Sequence, residues 1–279
     1  MADLTAIILT KNEEQNIKKC ITSIKKIAKR IIVVDSFSED NTIKIAKEFD
    51  AEIIQHKFET HAKQFKFAVI KANIKTKWIL KLDADEWLTD ESAIELEKLC
   101  NDNNDSNING IILKFSINFM GKNIRHGGMY PWYKLSVYKY GKGDIEDRNM
   151  DEHIFIYEGQ TVKAKKESLH MCFKGLDFLT KKCNWYSNKE VLDYFNSNKA
   201  NTKNIKSKVK MSLYYRLPLG FRSWLYYKYR YIVRFGFLDG KIGKIYFFLN
   251  CYWYRYLVDA KILEHKKLNT ELFKTEDLK

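Results

Sequence analysis

Apolar residues in the first third of the chain follow two alternating patterns. Short β-branched and aliphatic runs with the composition of buried strands cover residues 4–9, 30–35, 51–55 and 78–82. Between these runs, apolar residues recur every three or four positions, as they do on the buried face of a helix. Strands that alternate with helices predict a parallel sheet whose connections are right-handed helical crossovers.

Beyond residue 90 this alternation ends. The pattern predicts one helix before an Asn- and Asp-rich loop at residues 101–109, and a later helix over about 175–199. Strands are predicted at residues 110–120, 134–140 and 154–157. We expect these strands to extend the sheet with antiparallel pieces. The predicted fold class is therefore α/β, a Rossmann-like mixed sheet flanked by helices.

Polar residues follow the first two strands at the point where each strand ends. Thr10, Asn12 and Glu13 follow the first strand, and Asp35 follows the second. Asn12 is also the predicted N-cap of the next helix. Because ligands of parallel sheets bind at the carboxyl ends of the strands, these residues predict a binding site at that edge.

The fourth strand ends in the most informative stretch of the chain, the carboxylates Asp83, Asp85 and Glu86. Like charges crowded at the end of a buried strand are costly unless a cation compensates them. A turn after the strand would let Asp83 and Asp85 converge on one Mg²⁺ or Mn²⁺ ion that holds a diphosphate. An Asp-x-Asp pair taken alone is more often a solvated turn, and its place after a strand is what favours a metal site.

Length and cysteine content limit the class of protein. A chain of 279 residues can form one large α/β domain with an appendage. Its five cysteines include no C-x-x-C pair, which fits a reducing compartment without disulfides or a zinc site. The N-terminus leads directly into a strand, so we expect no signal peptide and a cytoplasmic location.

The basic and aromatic residues are concentrated near the C-terminus. Of the net charge of +14, residues 200–279 carry +11, from 17 basic and 6 acidic residues. Residues 211–257 hold 17 of the 40 aromatic residues. Arg222, Arg230 and Arg234 fall on one side of a predicted helix. Arginine beside tyrosine and tryptophan suits the headgroup zone of a membrane.

The apolar runs in this C-terminal region are too short to cross a bilayer, which takes about 20 apolar residues. We therefore expect residues 201–279 to form a helical region that attaches peripherally to the inner face of the cell membrane. The alternative is a helical subdomain packed on the catalytic part or on a second copy of the chain, which would make a homo-oligomer.

Three motifs in order carry a resemblance to a known family. They are Ile7-Ile-Leu-Thr-Lys-Asn-Glu-Glu14, Ile32-Val-Val-Asp-Ser36 and Leu82-Asp-Ala-Asp-Glu86. The chain resembles family 2 glycosyltransferases, most nearly the branch that includes lipopolysaccharide-core β-1,4-glucosyltransferases. Asp151-Glu-His153, His170 and residues 234–240 extend the resemblance over residues 3–260.

This resemblance implies a GT-A type fold, a divalent cation and an inverting transfer from a nucleotide-diphosphate sugar to a glycan or glycolipid acceptor. It divides the chain into a glycosyltransferase domain at residues 1–200 and the helical region at 201–279. Within the domain, residues 1–100 would bind the nucleotide sugar and residues 101–200 the acceptor. A lipopolysaccharide core or a capsule precursor is the expected type of acceptor.

On the donor side, the resemblance assigns roles residue by residue. Thr10, Asn12 and Glu13 match the loop that embraces the nucleoside. Asp35 matches the acid that accepts a hydrogen bond from the base, which favours uracil and hence a UDP-sugar. Lys63 matches a basic residue directed toward the nucleotide, although a solvated helix lysine is an equally good interpretation.

Around the reacting centre, Asp83 and Asp85 match the Asp-x-Asp pair, in which the second acid usually holds the metal. His170 is expected to be a further metal ligand or a diphosphate contact. An inverting transfer also needs a carboxylate that removes the proton of the acceptor hydroxyl. Glu152 is the preferred base and Asp151 the alternative, while an exposed acidic turn would explain both without catalysis.

Other functions compete with this interpretation. The basic aromatic C-terminal region is also typical of a nucleic-acid-binding protein, but that class does not explain acidic strand ends. A nucleotidyltransferase would use paired acids and Mg²⁺, but it would normally have a glycine-rich basic loop after the first strand. A catalytically silent scaffold of the same fold would not need both Asp83 and Asp85.

Overall fold

The computed structural model describes residues 1–147, 152–196 and 217–268. These residues belong to two compact units. The first unit is formed by Met1–Ile117 and Pro131–Cys172, and the second by Asn118–Tyr130 and Phe173–Lys279. The units therefore divide the chain earlier than the predicted boundary at residue 200, which lies outside the described residues.

A mixed sheet forms the centre of the first unit. The described strands are β1 (Ala2–Thr10), β2 (Ala28–Asp35), β3 (Glu52–Gln55), β4 (Trp78–Asp83), β5 (Glu86–Leu88), β6 (Ile108–Phe119), β7 (Lys122–Ile124), β8 (Trp132–Lys139), β9 (Gly143–Ile145), β10 (Ile154–Ile156) and β11 (Gln160–Met171). Strands β9 and β10 form a separate two-stranded sheet, and β7 pairs with β6. The sheet order is β3-β2-β1-β4-β8-β6-β11-β5. Strands β1 to β4 are parallel, whereas β8 is antiparallel to both β4 and β6. The predicted α/β class and its antiparallel additions are confirmed.

Helices cover both faces of this sheet. Since successive side chains of a strand point to opposite faces, each strand contributes to the core on both sides. The helices of the first unit are α1 (Ile17–Ile24), α2 (Thr42–Glu48), α3 (His61–Lys71) and α4 (Asp90–Asp102). Leu4 and Ile8 of β1 are buried in the core that includes α1 and α4, whereas Ile7 and Leu9 are buried with α3. The strictly buried pattern of β1 follows from this cover on both sides.

Several local predictions were wrong. The N-cap of α1 is Asn16 and not Asn12, which has a left-handed backbone with φ of 53°. Strand β11 was not predicted at all. Its sequence is rich in lysine, and Ala164 and Ser168 are its fully buried positions, so the local signal for a strand is weak.

Strand register places the predicted site residues at one edge. Thr10 of β1 is the direct neighbour of Asp35 in β2, and Leu9 is the neighbour of Asp83 in β4. The antiparallel pair of β5 and β11 sets His170 opposite Glu86. Backbone hydrogen bonds thereby fix the carboxyl ends of β1, β2 and β4 and the end of β11.

The second unit is largely helical in its described part. Its helices are α5 (Leu176–Asn196), α6 (Phe221–Lys228), α7 (Gly240–Phe247) and α8 (Tyr254–Leu268). Two π-helical turns, Tyr229–Val233 and Phe248–Trp253, follow α6 and α7. Val191 of α5 packs against Val258 and Ile262 of α8. The predicted helical C-terminal region is confirmed for residues 217–268.

In the described ranges, no helix combines the length and the apolar composition that crossing a membrane requires.

A buried ion pair joins α6 to α8. The Nε of Arg222 donates to Oδ1 of Asp259 at 2.6 Å, and both side chains are almost completely buried. Oδ2 of Asp259 also accepts hydrogen bonds from the Gly220 N–H and the Ser223 hydroxyl. Arg222 is therefore not part of an exposed basic face, and that prediction from helical spacing was wrong.

We expect Asp259→Ala to lower the free energy of unfolding by about 3–5 kcal/mol, because it leaves the Arg222 guanidinium buried without its counter-charge. Denaturant titration measures the change. The double variant Arg222→Met/Asp259→Leu removes both charges and should recover most of the loss. Arg255→Met, at the partly exposed pair with Glu190, is the control and should cost only about 1 kcal/mol or less. Equal losses at the two sites would contradict this account.

Candidate active site

Asp83 is held between two lysine side chains. Its Oδ1 lies 3.2 Å from the ammonium of Lys81, which precedes it by two residues on the same face of β4. Its Oδ2 lies 3.1 Å from the ammonium of Lys134, which β8 carries into the site beside β4. Burial alone would raise the pKa of Asp83, but Lys134 and Lys81 outweigh it and hold that pKa well below its usual value. Asp83 is therefore ionised, and both of its oxygens already have cationic partners.

Lys134 also neutralises Glu86, whose side chain is fully buried. Its ammonium lies 2.7 and 2.9 Å from the two oxygens of Glu86. Oε2 of Glu86 also accepts a hydrogen bond from the Asp83 backbone N–H at 3.1 Å. Burial lowers the pKa of Lys134, but Asp83 and Glu86 outweigh it and raise that pKa above its ordinary value. A charged ammonium thus lies inside the group of carboxylates.

Asp85 forms a second pair, with His170. The Met171 N–H donates to the Asp85 carbonyl at 2.8 Å, which ties the last turn of β11 to the loop after β4. Nε2 of His170 then lies 3.4 Å from Oδ2 of Asp85. Burial lowers the pKa of His170, but the neighbouring Asp85 carboxylate outweighs it and raises that pKa. The indole ring of Trp132 packs against the imidazole, with ring centres 5.3 Å apart.

The Asp85–His170 pair fits a divalent cation better than Asp83 does. Two ligands at right angles, each about 2.1 Å from an octahedral ion, lie about 3 Å apart, which is close to the spacing of this pair. Nδ1 of His170, on the far side of the ring from Asp85, is buried and has no hydrogen-bond partner among the described residues. Across the described ranges, no three His, Cys, Asp or Glu side chains are arranged to hold a metal by themselves. The remaining ligands would have to come from a diphosphate and water.

Glu152 reaches the same group of charges from the second half of the first unit. One of its oxygens lies 4.0 Å from the ammonium of Lys81, and its side chain is only 10 % exposed. Lys81 thereby connects Glu152 with Asp83. Asp151, the alternative base, lies outside the described residues.

Sequence reasoning missed three members of this site, Lys81, Lys134 and His61. His61 begins α3 and lies within electrostatic reach of Asp83 and Lys81. Burial lowers the pKa of His61, which outweighs the opposing effect of Asp83, so the imidazole is neutral near pH 7. A lysine inside the apolar run of β4, on the face that Asp83 shares, was the one local signal that could have been used.

The loops after β1 and β2 are joined by hydrogen bonds. The Asn12 N–H donates to the Ser38 hydroxyl at 2.8 Å, and its side-chain oxygen accepts from the Glu39 N–H at 2.9 Å. The Glu13 N–H donates to the Thr42 hydroxyl at 2.7 Å. Asn12 and Glu13 are therefore part of an ordered pair of loops at the carboxyl edge of the sheet.

Asp35 is fully buried beneath these loops. It accepts hydrogen bonds from the Ser38 N–H at 3.0 Å and from the Gln55 side chain at 3.3 Å. Thr10 lies beside it and is also buried. In this conformation Asp35 organises the loop, and a nucleobase would have to share its carboxylate with Ser38.

Lys63 lies half exposed on α3. Its ammonium pairs with Glu59 at 2.6 Å, one helical turn earlier. This ion pair accounts for the position of the Lys63 side chain without a nucleotide, which agrees with the interpretation of Lys63 as a solvated helix lysine.

The chain is similar in sequence to known glycosyltransferases, and parts of it align with solved structures. The chain is 26 % identical over 291 residues to an uncharacterized glycosyltransferase of Rickettsia felis, covering 100 % of this chain and 93 % of that one. It is 34 % identical over 98 residues to the glycosyltransferase SunS of Bacillus subtilis, covering 34 % and 23 % of the two chains. Glucosyl-3-phosphoglycerate synthase of Mycobacterium tuberculosis, solved with Mn²⁺, UDP and glucosyl-3-phosphoglycerate, aligns at 17 % identity and a TM-score of 0.34 over 42 % of this chain and 44 % of that one.

The family model of glycosyl transferase family 2 matches residues 5–173, which include all strands of the sheet around Asp83, Asp85 and His170. The chain therefore belongs to glycosyl transferase family 2.

Proposed function

We propose that this glycosyltransferase is metal-dependent and inverting, and that it moves a hexose from a UDP-sugar to a surface-glycan acceptor. The observation that carries the proposal is the pairing of Asp85 with His170 beside the lysine-bound Asp83. The Asp85–His170 pair has the spacing of two cation ligands, while the charge of Asp83 is already compensated by Lys81 and Lys134. Both lie at the strand ends where ligands of parallel sheets bind.

The donor site would lie over the loops after β1 and β2. Asn12 and Glu13 are held in place there by Ser38 and Thr42. A rigid loop of this kind loses little entropy when it closes on a nucleoside. The buried carboxylate of Asp35 supports uracil as the base, since uracil offers an N–H donor whereas a carboxylate only accepts.

Asp85 and His170 would hold the cation. A bound Mg²⁺ or Mn²⁺ would neutralise charge that develops on the diphosphate as it leaves. The exposed edge of Trp132, beside His170, offers an aromatic surface against which a sugar ring could pack.

Glu152 is the proposed base. The oxygen of an acceptor hydroxyl forms a bond to the anomeric carbon while the bond from that carbon to the diphosphate oxygen breaks. The hydroxyl proton passes to the carboxylate of Glu152, and the configuration inverts because no covalent enzyme intermediate intervenes. Lys81, which is 4.0 Å from Glu152, fixes this carboxylate relative to Asp83.

We further propose that the acceptor is a glycolipid or lipid-linked glycan at the inner face of the cell membrane, such as lipopolysaccharide core or a capsule precursor. The resemblance to lipopolysaccharide-core glucosyltransferases supports this class of acceptor. The net charge of +11 in residues 200–279 supports an anionic surface as the partner.

Membership of family 2 favours glycosyl transfer over the two competing activities. A nucleotidyltransferase would also use Asp83 and Asp85, but the family match spans the whole sheet that carries them. Nucleic-acid binding rests only on the basic aromatic residues near the C-terminus and leaves the ordered carboxylates of the first unit unexplained.

A thermal-shift screen tests the donor and the metal together. UDP-, GDP-, dTDP- and CMP-sugars are compared with and without Mn²⁺, and a UDP-sugar with Mn²⁺ should raise the melting temperature most, because it binds the native state. Asp85→Asn should abolish the Mn²⁺-dependent part of this shift and slow transfer by about two orders of magnitude or more. Asp102→Asn, an exposed acid at the end of α4, is the matched control. An Asp85→Asn variant with wild-type turnover would refute the metal assignment.

Glu152→Gln separates catalysis from donor binding. We expect this variant to keep the UDP-sugar thermal shift and to lose transfer by about 10²–10⁴-fold, which is the usual contribution of a general base. Radiolabelled sugar transfer and the shift are measured on the same preparation. If Asp151→Asn shows this combination instead, the base is Asp151 and the assignment to Glu152 is wrong.

A further inference from the structure

Aromatic side chains of the second unit form a continuous exposed ridge. Ring contacts run from Phe235 to Phe237, Tyr231, Tyr227 and Phe248, with centres 5.3 to 6.5 Å apart. Phe235 and Phe237 remain 58 % and 44 % exposed despite these contacts. Ile232, Val233 and Leu238 of the same turn are also exposed. Apolar side chains that stay this exposed in one contiguous set mark a surface for binding.

The backbone holds the tip of this ridge outward. Phe235 has a left-handed conformation with φ of 59°, which a bulky residue adopts only under strain. Gly236 follows it, and a Cβ there would lie 2.7 Å from the Phe247 ring and 2.9 Å from the Arg230 carbonyl. Only glycine permits this close packing, which turns the chain so that the Phe235 ring lies at the surface.

Within residues 229–248, which form the ridge and its surroundings in the sequence, all exposed charged side chains are positive. Arg234, Lys241 and Lys244 are exposed. Between residues 218 and 258 the one acid is Asp239, and it is buried. Asp239 accepts from the backbone N–H groups of Arg125 and His126, so its charge is directed inward. An apolar ridge among cations without an exposed carboxylate complements a bilayer that contains anionic lipid.

We propose that residues 229–248 are the membrane-contacting surface of this protein, with Phe235 and Phe237 entering the headgroup zone of an anionic bilayer. A second copy of the chain fits the same surface poorly. A symmetric dimer pairs a patch with itself, so it would place Arg234, Lys241 and Lys244 against their own equivalents.

Flotation of the full chain with vesicles tests this surface. Binding to phosphatidylethanolamine–phosphatidylglycerol vesicles, but not to phosphatidylcholine vesicles, is expected, and it should weaken with salt. Phe235→Asn should reduce vesicle affinity about tenfold through loss of buried apolar area. Its melting temperature should not fall, since asparagine tolerates the left-handed backbone. Ile70→Asn, at an exposed apolar residue of α3, is the control and should bind vesicles like the wild type.

The proposal is wrong if the Phe235→Asn variant floats with vesicles as well as the wild type does. It is also wrong if the full chain does not bind anionic vesicles. A chain that binds single-stranded RNA while failing to float would assign the same basic aromatic surface to nucleic acid instead. The vesicle assay does not involve sugar transfer, so its outcome is independent of the proposed glycosyltransferase activity.

A separate observation concerns the charges around Asp83. The carboxylates Asp83, Asp85, Glu86 and Glu152 and the ammonium groups Lys81 and Lys134 are linked through the contacts described above. With His170 neutral the group has a net charge of −2, which one divalent ion would balance. Without Lys134 the charge would be −3, and oxygens of Asp83 and Glu86 would become available to a metal.

Resting on the proposed function, we infer that Lys134 makes metal binding depend on the donor. Its ammonium occupies oxygens of Asp83 and Glu86 that would otherwise coordinate a cation. Among the residues that the structure describes, Asp85 and His170 are then the pair placed to hold the cation, and two ligands hold Mg²⁺ or Mn²⁺ weakly in water. The diphosphate supplies the missing oxygens, so cation and donor bind together. Lys134 is in this sense a positioning residue and takes no part in bond making.

Mn²⁺ titration followed by electron paramagnetic resonance, with and without UDP, tests this coupling on the full chain. The wild type should bind Mn²⁺ at least tenfold more tightly with UDP than without it. Lys134→Met should bind Mn²⁺ at least tenfold more tightly than the wild type in the absence of UDP. Lys134→Arg should keep the wild-type behaviour, and so should Lys163→Met, which removes an exposed lysine of β11.

If Lys134→Met does not fold because Glu86 is left buried alone, Lys134→Met/Glu86→Gln removes both charges, frees Asp83 and should show the same gain. An unchanged or weaker UDP-free affinity in the folded variant overturns the inference while leaving the proposed function intact. A wild-type chain that binds no Mn²⁺ even with UDP overturns the metal-dependent function and this inference together.

Discussion

The compensation of buried carboxylates by lysine is the interaction on which the site depends. Asp83 and Glu86 lie at the end of a strand whose apolar side chains form the core, and burial alone would raise the pKa of Asp83. The ammonium of Lys134 lies within 3.1 Å of both carboxylates and fixes their orientation, and together with Lys81 it holds the pKa of Asp83 low. Asp85 pairs instead with His170, and this is the pair that we propose faces the cation.

The long-range pairing of strands makes this arrangement possible. β8 lies between β4 and β6, which brings Lys134 beside Asp83 although 51 residues separate them. The pairing of β11 with β5 sets His170 beside Asp85 in the same way. Each functional contact therefore rests on a ladder of backbone hydrogen bonds, and a register slip of one residue would turn His170 or Lys134 to the opposite face of the sheet.

Sequence patterns were sufficient to predict the strands and site residues whose signal lies in neighbouring residues of the chain. The runs that became β1, β2 and β4 are buried on both faces, so they are continuous apolar segments in the sequence. Asp83 and Asp85 stood out because they interrupt such a segment. Lys134 and His61 could not be found in this way, since their partners lie on other strands and loops. The Asn12 cap failed for a related reason: its side chain bonds to Glu39 of the next loop instead of to its own helix.

In the second unit, too, the buried acids have partners within the protein, and here this affects the charge of the exposed surface. Asp259 pairs with Arg222, whereas Asp239 accepts hydrogen bonds from backbone N–H groups and lies 2.9 Å from Nδ1 of His126. Because both acids are enclosed, the exposed cations between residues 218 and 258 have no carboxylate beside them within that stretch. Because Asp239 and Asp259 are buried, the exposed charged side chains between residues 218 and 258 are all positive. An aromatic ridge on such a surface gains most from a partner that is both apolar and anionic, and a bilayer with acidic headgroups has both properties.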